Sequence, residues 1–184
     1  MKRTTTAKVF AITVATTLAL GIAPTIAFGA DYTEPGTMTF SGSNVATAID
    51  LQAGTITDEV ILIGKGTIGE FTYRELHADS TAPETSSTCS GPYFQTVTGA
   101  GVFSFRDGSL LTTSITKGAG CINLTTGTAA YTVTYQITGG TGRFKGASGT
   151  LTSTATLFPV LFNASNAPEL LTNTGQFEGT LVVP

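Results

Sequence analysis

The sequence predicts an all-β, single-domain protein built as a sandwich or a barrel, and three observations carry that prediction. Charged residues make up only 11% of the 184 residues while hydrophobic residues reach 41%, with glycine and threonine abundant; this is the mixture of strands and tight turns. Apolar and polar residues alternate with period two in several separate stretches, as half-buried strands do. Turn signals recur about every dozen residues, and no break in composition marks a second domain.

The first element is a leader. Lys2, Arg3 and Lys8 precede an apolar run from Val9 to Leu20, and a small-residue region ending in TIAFGAD follows. This order reads as a secretory signal peptide over residues 1–29, cut after Gly29 or one residue later, with the β-domain over 30–184. The apolar run falls short of the ~20 residues of a membrane span. The expected location is therefore outside the cell, or the periplasm where the host has an outer membrane, with no membrane attachment after cleavage. Removing residues 1–29 takes three of the nine Lys and Arg and none of the twelve Asp and Glu, leaving a net charge near −6. Nucleic acid is a poor partner for such a chain, since binding it requires clustered cations.

Strands are expected at Thr37–Gly42, Glu59–Gly64, Gly69–His77, Tyr93–Phe105, Ser109–Thr116, Ala130–Ile137, Thr150–Leu157 and Gly175–Val183. The alternation is clearest in TLTSTATL, which puts Leu151, Ser153, Ala155 and Leu157 on one face. In AYTVTYQI it places Tyr131, Val133, Tyr135 and Ile137 together. Asp107-Gly108 marks a hairpin with a primed turn. Pro159, Asn163, Asn166 and Pro168 mark a loop, in which APELL suggests a helical turn. Cys89 and Cys121 are the two cysteines; in an exported chain they are expected to pair as a disulfide.

The stretch ITGGTGRFKGASGTLT, Ile137–Thr152, could be a phosphate cradle or a strand corner. Its glycines are not spaced as in nucleotide-binding loops, Lys145 precedes its glycine, and an alternating strand follows where a helix would be needed. The corner reading fits better, with Phe144 as an apolar plug between outward-pointing Arg143 and Lys145.

From that stretch outward the chain resembles a known family. YQITGGTGRFKGASGTLTSTATL, with GTIGEFTY, GVFSFRDGSLLT and the closing FEGTLVVP in the same order, is similar to the allene oxide cyclase and dirigent barrel superfamily, and most to its small secreted bacterial members. The resemblance implies a single antiparallel eight-stranded barrel with a central cavity open at one end, a homo-oligomer (often a trimer in plant members), and an apolar small molecule as ligand. It carries over no catalytic residue, because no position matches the family's active-site motifs.

Glu75, His77 and Asp79 alternate on RELHADS and would share one strand face. They are the only ligand-type residues gathered around the single histidine. A solvated strand end is the favoured reading, with a weak metal or acid/base site as the alternative. Asp58 and Glu59 are adjacent and face opposite sides, so they do not form a carboxylate pair. Phe71, Tyr73, Phe103, Phe105, Tyr131 and Tyr135 are candidates to line a cavity, although a small barrel more often fills its interior. The sequence thus points to a non-enzymatic extracellular binding or structural protein with no cofactor and no metal. An isomerase or cyclase that steers an apolar substrate in the barrel is the alternative.

Overall fold

The structure, a computed structural model, describes residues 32–184; the leader expected at residues 1–29 lies outside them. Nine strands follow one another: β1 (Tyr32–Ala46), β2 (Thr55–Gly66), β3 (Gly69–Ser80), β4 (Glu84–Ser86), β5 (Cys89–Phe105), β6 (Leu110–Asn123), β7 (Thr128–Gly140), β8 (Ser148–Phe162) and β9 (Pro168–Val183). Apart from β4, each strand pairs antiparallel with the one before it, and β9 returns to pair with β1. The result is a closed eight-stranded antiparallel barrel; the short β4 adds only to the side of β5. Closure pairs every edge that an open sheet would leave free. Among the described residues no helix is long and apolar enough to cross a membrane.

Alternation decides what faces inward. On β8 Leu151, Ser153 and Leu157 are buried while Thr154 is exposed, and on β7 Val133, Tyr135 and Ile137 are buried between exposed or half-buried neighbours. An eight-stranded barrel is just wide enough for its own side chains to fill, and here aromatic rings fill much of it. The Phe177 ring lies 4.8 Å from Phe40, 5.2 Å from Phe103, 5.5 Å from Tyr73 and 5.9 Å from Tyr135, centroid to centroid.

One end of the barrel, reached by the turns at residues 67–68, 106–109 and 141–147, is sealed by apolar groups. Ile68, Phe105, Phe144, Ala147 and Leu181 are all buried there. The glycine-rich stretch is the β7–β8 corner, with a single 3-10 turn at Gly142–Phe144 that carries Phe144 into the core. Arg143 does not simply point outward as the sequence suggested. Its guanidinium lies over the Phe105 and Phe144 rings, at 4.7 and 4.3 Å, and donates to the Ile68 carbonyl at 2.6 Å.

Three local expectations change. APELL is not helical, because β9 begins at Pro168 and pairs with β8 from there. The Asp107-Gly108 turn is not a primed two-residue turn: only Gly108 takes positive φ, and the Asp107 side chain accepts the Ser109 N–H across a four-residue loop. β8 also runs past Leu157 to Phe162, leaving Phe158, Val160, Leu161 and Phe162 exposed near its end.

Candidate functional site

The other end of the barrel is polar, and β3 is the strand that makes it so. Phe71, Tyr73, Glu75, His77 and Asp79 follow one another along its inner face, so the lining changes from aromatic to ionisable over five in-facing positions. Glu75 is 4% and His77 2% exposed. The solvated strand end expected from the sequence is therefore not what forms: the sidedness is as expected, but the face is covered by the rest of the barrel.

The interior has room for these side chains because the facing positions of β5 are glycines. In register, Glu75 lies opposite Gly101 and His77 opposite Gly99. A methyl group on Gly101 would stand 2.2 Å from the Tyr73 hydroxyl, and one on Gly99 would stand 2.7 Å from the His77 Cβ. Those two glycines act through the absence of a side chain, which leaves room for the Tyr73 ring and the His77 side chain.

The hydrogen bonds run as a chain from the aromatic core outward. The Tyr73 hydroxyl donates to Glu75 Oε2 at 2.6 Å and lies 3.1 Å from Thr113 Oγ1. Glu75 Oε1 is 2.7 Å from His77 Nδ1. The Tyr131 hydroxyl donates to the Asp79 carboxylate and is 2.6 Å from Thr96 Oγ1. The remaining ring nitrogen, His77 Nε2, is buried without a hydrogen-bond partner. Asp79 Oδ2 at 3.5 Å and Asp58 Oδ2 at 3.8 Å face it, near enough for charge attraction and too far for a good hydrogen bond.

Charge dominates this end. Burial alone would lower the His77 pKa, but the close approach of the Asp79 carboxylate and the hydrogen bond and attraction to Glu75 outweigh it and push it up to about 10. Burial raises the Asp58 carboxyl above its usual range; His77 opposes the rise, and Asp79 and Glu169 add to it. Burial, then the nearby Glu75 or Asp79, lifts the phenols of Tyr73, Tyr131 and Tyr135 well above 10. All three therefore stay protonated, and Tyr73 and Tyr131 donate to the carboxylates.

The sequence-predicted residues divide between the two ends. Glu75, His77 and Asp79 come together in this cluster. Phe71, Tyr73, Phe103, Phe105 and Tyr135 pack against one another in the core, while Tyr131, partly buried, stands at the polar end. Sequence reasoning missed Asp58 as a neighbour of His77. Asp58 and His77 are cross-strand partners in the β2–β3 hairpin, and centring that hairpin on Thr67-Ile68 would have paired them. Thr96 and Thr113 were missed too, because only the barrel's closure brings β5 and β6 over β3. Cys89 and Cys121 form a disulfide, Cα to Cα 5.7 Å, tying the start of β5 to β6 beside this end.

No protein-family model matches the chain, and no curated protein matches it. Among solved structures, the barrel is similar to a pterocarpan synthase dirigent protein, at 12% identity and a TM-score of 0.42, over 85% of this chain and 89% of that one.

Proposed function

We propose that the protein is an exported binding protein of the allene oxide cyclase and dirigent barrel type, and that its binding site is the polar end of the barrel. The observation that carries this reading is the charge balance: Asp58, Glu75 and Asp79 surround one imidazole whose Nε2 lacks a hydrogen-bond partner. A site with that excess of carboxylate takes a small cationic ligand. Asp58 and Asp79 keep 19% and 15% of their side-chain surface exposed, so a ligand reaches them without opening the core. The apolar ligand first expected would instead have to displace rings that already pack against each other. Export rests on the leader at residues 1–29, and the disulfide and the net negative charge of the remaining chain are compatible with it.

The test is a native mass spectrum of the disulfide-bonded protein purified from culture medium, beside the same measurement on Asp79→Asn. A stoichiometric adduct on the parent protein, absent from the variant, is the expected result. Bare chains in both samples would overturn the reading.

A further inference from the structure

We propose that Asp58, His77 and Asp79 form a binding site for a divalent transition-metal cation of the zinc type, an inference that rests on the polar end being the binding site. One ligand atom from each of the three residues lies within 4.8 Å of the others. One spacing already suits a tetrahedral ion, Nε2 to Asp79 Oδ2 at 3.5 Å, and Nε2 to Asp58 Oδ2 at 3.8 Å is slightly wide. Metal–ligand distances of about 2.0–2.2 Å correspond to ligand–ligand edges of about 3.3–3.6 Å. Small rotations of the two carboxylates therefore close the site. A cluster of acids alone would not identify a metal site. What singles this one out is an imidazole nitrogen buried, unpartnered, and aimed between the two carboxylates.

The surroundings are those a metal-bound imidazole needs. Such a ring usually donates its second N–H to a carboxylate, which sets the tautomer and the ring's orientation. Glu75 accepts this bond from His77 Nδ1, Tyr73 in turn anchors Glu75, and the metal takes the place of the Nε2 proton, which is released to solvent. Asp79 is held from its far side by Tyr131, itself in contact with Thr96. Each ligand thus sits on a strand, and two of the three are oriented by a hydrogen-bonding partner. The donor set, one nitrogen and two oxygens, fits zinc and its borderline neighbours better than the soft, thiolate-seeking ions. Three protein ligands leave a fourth position for water or a further ligand, on the side where Asp58 and Asp79 meet solvent.

His77 is the chain's only histidine, which makes the experiment clean. The protein is produced without a histidine tag, stripped with a chelator with its disulfide intact, and titrated with zinc chloride in a calorimeter. Proton–nitrogen spectra of the lone imidazole are recorded in parallel. One saturable site per chain is expected, with the imidazole resonances moving to a new bound position. Asp58→Asn and Asp79→Asn should each weaken binding at least tenfold, and Glu75→Gln roughly 10- to 100-fold as a positioning residue, all with unchanged circular dichroism. Unmoved imidazole resonances at saturating zinc would overturn the proposal whatever the variants do, as would unaltered affinity in folded Asp79→Asn. A native mass spectrum showing an organic adduct while zinc fails would remove the metal and keep the binding site; failure of both would remove both.

Discussion

The two ends of this barrel are built from the same alternating strands and solve opposite problems. At the 3-10 corner end, Phe105, Phe144 and Ile68 close the interior, and Arg143 is folded over two rings with its charge near Asp107 and solvent. At the other end, β3 carries Glu75, His77 and Asp79 inward against Asp58. Burying apolar area stabilises a fold at roughly 25 cal/mol per Å². Burying ionised groups costs several kcal/mol each, before pairing returns part of it. The difference teaches that the stability of this barrel resides in the aromatic half, and that the polar half is a departure from the best-packed solution. Such departures are where function is sought.

The largest effect should come from emptying the aromatic half. Phe177 is 1% exposed and touches five other rings. Phe177→Ala is expected to cost about 3–5 kcal/mol, read as a lower urea midpoint with an unchanged slope. A cost below about 1 kcal/mol would break the comparison, because it would mean the rings are loosely packed and that this half could admit an apolar ligand after all.

A somewhat smaller effect belongs to the polar end. The disulfide spans a sequence separation of 32, and removing it with Cys89→Ser and Cys121→Ser together is expected to cost about 3–4 kcal/mol on the chain-entropy account. Hydrogen exchange should show where the lost stability goes: faster exchange at the β5 and β6 segments near the bridge, with the Tyr135 and Phe177 amides nearly unchanged. Equal acceleration at both ends would show that the halves open together and that the division between them is only chemical.

How much of this was legible beforehand follows from which interactions are local. Strand sidedness is local, so the inward sets on β7 and β8 and the shared face of Glu75, His77 and Asp79 could be read from period two alone. Barrel closure could not, since β9 pairing with β1 joins Tyr32 to Val183 across the chain, and only the family resemblance suggested it. The environment of His77 was misjudged for the same reason. Its burial comes from β2, β5 and β7, and nothing near RELHADS in sequence reports Tyr131 or the glycines opposite it. Arg143 was misplaced because an exposed cation was assumed to seek water, whereas a guanidinium can lie flat on a ring and still keep solvent contact.

That residue carries the smallest prediction and the most specific one. The Arg143 side chain is 43% exposed, so its charge pair with Asp107 is screened and contributes little. The two ring contacts and the bond to the Ile68 carbonyl remain. Arg143→Ala should therefore cost about 1–2 kcal/mol, and Arg143→Lys should recover less than half of it, since an ammonium cannot lie flat on two rings while also reaching the carbonyl. Thermal melts of the three proteins in low and high salt separate the causes. A deficit that survives high salt places Arg143 in the packing of the sealed end. A deficit abolished by salt would reduce it to a surface ion pair, and would leave Phe144 and Ile68 as the groups that close the barrel.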